Sequence, residues 1–355
     1  MKKINNLFSV VAQKTVSYQW EETFPGSLRF DTNTLPFPPP SLQLFLADMK
    51  KNCLINEYAD PSYKKLRQLI AKNEGVDGSM MTVTNSGDEA IDILAKTFLN
   101  PGDYFITTPP TYEMFDIQCK INRGINLPVP LKSKTWKVNS EEIIKSSQNP
   151  KVKLIFLVNP NNPTASIIPQ KTILKIVKFS KAIVVVDEVY REFYGKSVIK
   201  FLEKYSNLVI LRSFSKFAAL AGARIGYLIG NPLFSQKFDA IRFPMGVSFL
   251  SYKLAETVLE NDQKWMKEQE EIIKKERSKL TKELSNLGVY VYPSFANFLL
   301  VNMGKKTSEI CRKLKSKGIV IRNRSKDKYL TDCVRITVRS PDQNKRLIQT
   351  LKEIL

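Results

Sequence analysis

Short, continuous apolar runs alternate with amphipathic stretches through the middle of the chain. Runs without polar alternation are typical of strands buried on both faces of a mostly parallel sheet. They are YFIT at 104–107, LIFLV at 154–158, IVVV at 183–186 and LVIL at 208–211. The stretches between them, such as KTILKIVKFSK, have the spacing of helices that cover a sheet. The pattern predicts an α/β fold in which a mostly parallel sheet lies between two layers of helices.

Two helices are predicted before these strands. The stretch PSYKKLRQLIAKNEGV predicts a helix that ends at Gly75, and a second helix follows the loop TNSGDE and runs through Leu99. The proline cluster at Pro36 to Pro40 predicts an extended segment. It would join an N-terminal arm, residues 1–34, to a large domain, residues 35–245.

The pattern changes beyond Pro244. A charge-laced stretch predicts one long helix from about Ser251 to about Leu287, and the shorter segments GVYVYP, NFLLV, GIVIR and CVRITV follow it. These indicate a smaller α+β domain over residues 246–355. We expect the ligand site in the cleft between the two domains.

Composition narrows the chemistry. Of the 355 residues 43% are hydrophobic and 25% are charged, which is typical of a globular protein, and there is no histidine. The lack of histidine excludes a Ser-His-Asp triad, a histidine zinc site and an imidazole general base. Proton transfer would fall to Lys, Asp, Glu, Tyr, Cys or a cofactor.

The charge and the cysteine content of the chain indicate neither a nucleic-acid partner nor a metal site. The net charge is +21, but the lysines are spread along the chain without interleaved aromatic platforms, so we expect no nucleic-acid partner. The cysteines are far apart and form no C-x-x-C pair, so we expect no metal site and reduced thiols in a cytoplasmic protein; they are Cys53, Cys119, Cys311 and Cys333. The sequence predicts neither a signal peptide nor a membrane-spanning run.

Polar side chains follow three of the predicted strands. Asn162 lies shortly after LIFLV, Asp187 follows IVVV, and Lys216 lies five residues after LVIL ends. Ligands of open α/β sheets bind at the carboxyl ends of the strands, so these groups are expected to share one crevice. A lysine in a partly apolar pocket can lose its proton and act as a nucleophile toward an aldehyde.

Other groups near these positions suit a phosphate and an aromatic ring. Ser213, Ser215 and Arg224 surround Lys216 in the sequence, and the small-residue loop at Ser86 to Asp88 precedes a predicted helix. Tyr112 follows the predicted strand at 104–107, and Tyr190 lies three residues after Asp187. Pyridoxal 5′-phosphate needs a lysine for its aldehyde, an acid for its pyridine nitrogen, donors for its phenolic oxygen, a phosphate cradle and a ring to stack on it.

The chain resembles the fold-type I pyridoxal-phosphate aminotransferases, and among them the histidinol-phosphate aminotransferase family, from Tyr18 to the C-terminal helix. The segments that carry the resemblance are NEYADPSYKKLRQLIA, TNSGDEAIDILAKTFLNPGD, PPTYEMF, LVNPNNPTA, VVVDEVYREF, LRSFSKFAALAGARIGY, PSFANFLLV, GIVIR and DCVRITV. The chain departs from the family at Ala165, where glycine is usual, and in the Ser-Gly order of its phosphate loop.

The resemblance implies a role for each cofactor residue. Lys216 would bond to the cofactor aldehyde, Asp187 would pair with the pyridine nitrogen, Tyr190 and Asn162 would donate to the phenolic oxygen, and Tyr112 would stack on the ring. The residues expected around the phosphate are Ser86, Gly87, Asp88, Ser213, Ser215 and Arg224.

The resemblance also implies a shared site and a substrate. Tyr58 would reach the cofactor phosphate of a second subunit, which implies a homodimer. Arg335, Arg322 and Tyr18 would bind the anionic group of the substrate. The implied reaction is transfer of the amino group of L-histidinol phosphate to 2-oxoglutarate, because two arginines suit a phosphate dianion better than a carboxylate.

Three other functions stay open on the sequence. An aromatic or broad-specificity aminotransferase would use the same cofactor residues. A threonine-phosphate decarboxylase of cobalamin synthesis would present a similar anion to the arginines. The +21 charge also allows a nucleic-acid-binding protein that keeps the fold without the cofactor.

Overall fold

Two sheets organise the computed structural model, which describes residues 7–15 and 21–355. The strands of the described residues are β1 (Leu28–Phe30), β2 (Met81–Thr84), β3 (Tyr104–Ile106), β4 (Ile125–Asn126), β5 (Val152–Val158), β6 (Ile183–Asp187), β7 (Leu208–Ser213), β8 (Gly226–Ile229), β9 (Tyr290–Val291), β10 (Phe298–Asn302), β11 (Ile319–Asn323) and β12 (Cys333–Thr337).

The helices surround these sheets. In the described ranges they are α1 (Val10–Lys14), α2 (Leu42–Asn52), α3 (Lys64–Glu74), α4 (Ser86–Phe98), α5 (Met114–Ile121), α6 (Ser140–Ser146), α7 (Gln170–Phe179), α8 (Phe214–Phe217), α9 (Pro232–Ile241), α10 (Phe249–Asn261), α11 (Gln263–Asn286), α12 (Thr307–Ser316) and α13 (Pro341–Ile354). None of the helices in the described part of the chain is long and apolar enough to cross a membrane.

The larger sheet has seven strands in the order β2-β8-β7-β6-β5-β3-β4. Its strands from β7 to β4 run parallel, and β8 runs antiparallel to both of its neighbours. The predicted strands β3, β5, β6 and β7 are therefore confirmed as parallel neighbours. The short strands β2 and β8 were not predicted.

Helices cover both faces of this sheet because its strand residues alternate between two cores. In β5, Ile155 and Leu157 face one core, and Leu154 and Phe156 face the other. The first core also holds apolar side chains of α3, α7 and α10, and the second holds those of α4, α5 and α9. The predicted α/β class with its three-layer arrangement is confirmed.

The smaller sheet has five strands in the order β1-β11-β12-β10-β9. Strand β1 pairs with β11 in parallel, and the other neighbours are antiparallel. The N-terminal segment thus becomes an edge strand beside strands from the end of the chain. Its apolar side chains share a core with α11, α12 and α13.

The single long helix expected from about Ser251 to about Leu287 is wrong. The chain forms two helices, α10 and α11, which meet at Asp262, a buried residue with ψ near 14°. The Asp262 carboxylate accepts hydrogen bonds from the backbone N and the Oγ of Ser41, at 3.2 and 2.5 Å. This contact from a distant segment fixes the break. Helix α10 packs in the core of the larger sheet, and the domain limits at 34/35 and 245/246 remain predictions.

A buried charge network fixes the carboxyl ends of β6 and β7. Arg212, 1% exposed, donates to Glu188 Oε2 at 2.6 Å and pairs with Glu74 at the end of α3. Burial alone would lower the pKa of Arg212, but the carboxylates of Glu188 and Glu74 raise it. Tyr227 of β8 donates to Glu74 at 2.7 Å. The network therefore fixes the end of β7, which precedes Lys216, and the residue that follows Asp187 at the end of β6.

Candidate active site

A cavity of about 640 Å³ lies where the carboxyl ends of β5, β6 and β7 meet the smaller sheet. The crevice expected at this edge is therefore present. The sequence-predicted site residues that line it are Ser86, Gly87, Asp88, Tyr112, Asn162, Asp187, Tyr190, Ser213, Ser215, Lys216, Arg224, Arg322 and Arg335.

Lys216 projects into this cavity from the short helix α8, which begins where β7 ends. Its Nζ donates a hydrogen bond to the carbonyl oxygen of Thr32 at 2.9 Å. Burial, together with the positive charge of Arg335, lowers the pKa of Lys216 to about 7. A neutral amine, which is the nucleophilic form, is therefore accessible near neutral pH.

Asp187 ends strand β6 at the floor of the cavity and is 6% exposed. Its Oδ1 accepts a hydrogen bond from the backbone N of Val189 at 2.9 Å. Burial raises the pKa of Asp187 to about 7, and the carboxylates of Glu188 and Asp88 add to the shift. A cation placed beside this carboxyl would bring the pKa back down.

Two polar groups flank these residues. The Tyr190 ring lies with its centroid 6.0 Å from Lys216 Nζ, and its hydroxyl accepts from Asn33 Nδ2 at 3.0 Å. Asn162 follows β5, and its Oδ1 accepts from Arg335 Nη1 at 2.7 Å. Since Oδ1 is engaged by a donor, this contact orients the Asn162 amide.

An anion cradle forms at the start of α4. Arg224 Nη2 donates to Ser86 Oγ at 2.7 Å and to Asp88 Oδ2 at 2.8 Å. Tyr112 Oη donates to the other oxygen of Asp88 at 2.9 Å. Ser213 Oγ lies 2.9 Å from Ser215 Oγ. Hydroxyls, a guanidinium and the first amides of a thirteen-residue helix together suit a phosphate.

The unusual Ser-Gly order places a serine in a glycine-like conformation. Ser86 has a φ of 75°, and the backbone of Gly226 on β8 lies against it. A Cβ at Gly226 would lie 2.5 Å from the carbonyl carbon of Ser86. Gly226 therefore lets β8 approach the cradle closely. Ala165, the other departure, also has a positive φ of 56°.

Two arginines face the cavity from the smaller sheet. Arg322 of β11 and Arg335 of β12 are directly opposed in the antiparallel register. Arg335 Nη2 donates to the carbonyl oxygen of Asp31, and Arg322 Nη1 lies 3.9 Å from Glu21 Oε1. The pair places two positive charges across the cavity from the cradle.

Sequence reasoning missed the segment from Asp31 to Thr34. It follows β1, lines the cavity, and contacts both Lys216 and Arg335 through its backbone carbonyls. No local pattern marks it, because the parallel pairing of β1 with β11 brings it to the site.

Two predicted site residues do not line the cavity of this chain. Tyr58 is 87% exposed and lies away from the cavity. Tyr18 falls within residues 16–20, outside the described residues.

The fold and the lining of the cavity together have the features expected of a pyridoxal-phosphate enzyme. The chain matches the family model for aminotransferase class I and II over residues 26–351, and it belongs to that family.

Comparison with known proteins agrees with this assignment. The chain is 35% identical over 336 residues to the histidinol-phosphate aminotransferase of Caldanaerobacter subterraneus subsp. tengcongensis, covering 94% of this chain and 95% of that protein. The histidinol-phosphate aminotransferase structure from Clostridium acetobutylicum is 25% identical, with a TM-score of 0.84 and coverage of 92% and 98%. The Sinorhizobium meliloti structure, a histidinol-phosphate aminotransferase in complex with pyridoxal 5′-phosphate, is 24% identical, with a TM-score of 0.88 and coverage of 98% of each chain.

Proposed function

We propose that this chain binds pyridoxal 5′-phosphate and uses it to transfer the amino group of L-histidinol phosphate to 2-oxoglutarate. The observation that carries the proposal is the lining of one cavity by Lys216, by Asp187 and by the opposed pair Arg322 and Arg335. The name of the relative that is 35% identical over 94% of the chain supports the choice of substrate.

The residues present fit the cofactor. The buried Asp187 carboxyl has a raised pKa, so the site favours a cationic partner such as a protonated ring nitrogen. The cradle around Ser86 and Arg224 offers donors to a phosphate, and the missing Cβ of Gly226 lets β8 pack against the backbone of the cradle. Asn162 and Tyr190 would hold the phenolic oxygen, and Tyr112 would cover the ring.

When bound, the cofactor supplies the aldehyde that takes up the amino group and a ring that withdraws electrons from the α-carbon of the substrate. Lys216 would hold the cofactor and then, as a free amine, move a proton from that carbon. With the pKa of Lys216 lowered to about 7, the amine exists in both protonation states near neutral pH, as a general base and acid requires.

Arg322 and Arg335 would bind the phosphate monoester of the substrate. A carboxylate is satisfied by one bidentate guanidinium, whereas a phosphate dianion has the charge and the oxygens for two. Arg335 is already fixed by Asn162 and Asp31, so its guanidinium is preorganised for this role. Tyr18 would assist from the N-terminal arm.

The visible absorption spectrum tests the proposal. The protein is incubated with pyridoxal phosphate, and the spectrum is recorded before and after addition of L-histidinol phosphate without an oxo acid. We expect a yellow band that disappears as the amino group moves to the cofactor and returns with 2-oxoglutarate. A band that persists with this amine would refute the substrate, and release of carbon dioxide from threonine phosphate would favour the decarboxylase. Absence of any band would refute the cofactor.

We also propose a homodimer in which Tyr58 serves the site of the partner. Tyr58 is 87% exposed, and the apolar side chains of Leu54 and Ile55 beside it are 54% and 63% exposed. Exposed apolar groups clustered in this way are typical of an interface. Sedimentation should show a dimer.

A hybrid tests the shared site. Mixed dimers of Tyr58→Ala and Lys216→Ala protomers contain one site with both native residues, so activity should return on mixing. If Tyr58 serves its own chain, mixing restores no activity.

A cytoplasmic location remains part of the proposal, supported by the free state of all four cysteines, and cell fractionation tests it.

A further inference from the structure

Three consecutive residues after β1 each contact a different site side chain. The Asp31 carbonyl accepts from Arg335, and the Thr32 carbonyl accepts from Lys216. Asn33 Nδ2 donates to the hydroxyl of Tyr190 at 3.0 Å. The first two contacts use the backbone, which any residue provides. The third depends on the side chain, so it depends on Asn33 itself.

Asn33 is held firmly by the smaller sheet. It is 1% exposed and has a φ of 55°. Its backbone N donates to Thr337 Oγ1 at 2.9 Å, and its carbonyl accepts from Asn297 Nδ2 at 2.9 Å. Asparagine tolerates the left-handed conformation better than most residues, so the positive φ accounts for an asparagine at position 33. The positive φ does not account for the direction of the side-chain amide, which points at Tyr190.

We propose that Asn33 is a positioning residue for Tyr190, and that its amide directs the hydroxyl proton of Tyr190 into the cavity. A tyrosine hydroxyl has one proton, and its oxygen also accepts. Because Asn33 Nδ2 can only donate, it occupies the acceptor side of the oxygen, and Tyr190 must donate its proton to another group. The inference rests on the proposed function, in which that group is the phenolic oxygen of the cofactor.

The polarity of this hydrogen bond sets the direction of the effect. A donor to the Tyr190 oxygen makes the hydroxyl a stronger donor to the next group. A stronger donor stabilises the anionic form of the cofactor oxygen. The charged groups that line the same cavity would be unchanged by a substitution at position 33; they are Asp31, Asp88, Asp187, Lys216, Arg224, Arg322 and Arg335.

The reverse orientation of the Asn33 amide makes the opposite prediction. In that orientation Oδ1 would accept the Tyr190 proton, and Nδ2 would face Thr337 Oγ1, which lies 3.3 Å from the present Oδ1. Thr337 Oγ1 gives its own proton to the carbonyl of Phe30 at 2.8 Å, so it could accept. A carboxylate at position 33 separates the two cases, because it can only accept.

Two variants probe the amide while they respect the backbone. Asn33→Gly keeps the positive φ and removes the donor. Asn33→Asp keeps the size but replaces the donor with an acceptor. Asp332→Gly is the matched control, since Asp332 has a φ of 63° and does not line the cavity. Circular dichroism checks that each variant folds.

The holoenzyme gives two readouts, the dissociation constant of pyridoxal phosphate and the pH midpoint of its visible band. For Asn33→Gly we expect a dissociation constant about 3- to 10-fold higher and a midpoint raised by roughly half a pH unit, the loss expected for one hydrogen bond. Asn33→Asp should raise the midpoint further, and Asp332→Gly should change neither value. A wild-type midpoint in Asn33→Gly, or a midpoint at or below wild type in Asn33→Asp, would overturn the inference.

A Tyr190→Phe background shows whether Asn33 acts through the hydroxyl. There, Asn33→Gly should cause no further shift, and an undiminished shift would assign the effect to the backbone. The same double-mutant cycle is also measured by urea unfolding of the cofactor-free protein. Non-additive urea midpoints would support the contact between Asn33 and Tyr190 even if the chain bound no pyridoxal phosphate, and that lack of binding would refute the proposed function alone. Additive urea midpoints would overturn the inference.

Discussion

The two sides of the cavity are built in different ways. On the side of the seven-stranded sheet, Asp187 and Lys216 lie at or just beyond the ends of strands that adjoin one another. On the side of the five-stranded sheet, contacts join the two ends of the chain: the bond from Asn33 to Thr337 spans 304 positions. Under the proposed function, the first side would hold the groups for the chemistry that every amine substrate needs, and the second side would hold the groups that select the anion.

Loss of the lysine amine should have the largest effect, on the chemistry side. For Lys216→Ala we expect turnover to fall by about 10⁴-fold or more, because the variant loses both the nucleophile and the proton carrier. The cradle at Ser86 and Arg224 is intact, so pyridoxal phosphate should still bind. Single-turnover assays and fluorescence titration measure the two quantities. Lys264→Ala, at a 92% exposed side chain, is the control, and near-normal turnover in Lys216→Ala would contradict the assignment.

The next largest effect should come from a substitution that crowds the anion cradle at Gly226. Gly226→Ala would place a Cβ 2.5 Å from the Ser86 backbone, so β8 or the start of α4 must shift. We expect the free energy of unfolding to fall by about 1 to 3 kcal/mol and cofactor affinity to fall with it. Gly78→Ala, where nothing lies within 4 Å of the added carbon, is the control. Equal stability of the two variants would show that the cradle tolerates the shift.

Removal of one arginine should change recognition rather than chemistry. For Arg322→Ala we expect the KM for L-histidinol phosphate to rise about 10- to 100-fold, as for one charge-assisted hydrogen bond, with a much smaller change in kcat. Arg322→Lys keeps the charge but loses the planar fork of the guanidinium, so its KM should lie between those of the wild type and Arg322→Ala. An unchanged KM for Arg322→Ala would remove Arg322 from the substrate site.

The buried acid should give an effect of a different kind, a pH dependence of stability in the cofactor-free protein. The pKa of Asp187 is about 7, against an ordinary value of 3.8, so the native state binds more protons between these values. Stability should therefore fall as the pH rises from about 4 to about 7, by at most roughly 1.4 kcal/mol per pH unit. The lowered pKa of Lys216 acts in the opposite sense, and from about pH 7 to 10.5 it should raise stability.

Urea unfolding across this range measures both slopes. Asp187→Asn should reduce the fall in stability between about pH 4 and pH 7, called the acid limb, and should leave the rise between about pH 7 and pH 10.5 in place. Asp342→Asn, on the exposed face of α13, controls for the loss of one carboxylate. An acid limb of unchanged slope in Asp187→Asn would show that another group causes it.

The sequence revealed the chemistry side of the cavity better than the recognition side. Strands β5, β6 and β7 are continuous apolar runs, so their ends, and with them Asp187 and Lys216, could be located. Strands β2 and β8 were missed because neither lies in a clear apolar run: β2 (MTVT) carries two threonines, and the apolar residues of β8 lie between Gly226 and Gly230. Periodicity detects an element only from the character of its own residues, whatever the sheet around it contributes.

Long-range contacts explain what could not be predicted. The break between α10 and α11 depends on Ser41, more than two hundred positions before Asp262. Asn33 reaches Tyr190 only because β1 adds to the edge of the smaller sheet. Arg322 and Arg335 were identified by resemblance to a family rather than by any local pattern. Their opposed register was visible only in the structure.

That register has a thermodynamic consequence. Like charges placed directly opposite one another on neighbouring strands destabilise the strand pair. The pairing of β11 with β12 at Arg322 and Arg335 therefore carries a repulsive cost, which a bound anion would offset. Under the proposed function, part of the free energy of anion binding would be relief of repulsion already present in the sheet, and the ligand would become a component of the stability of the smaller sheet.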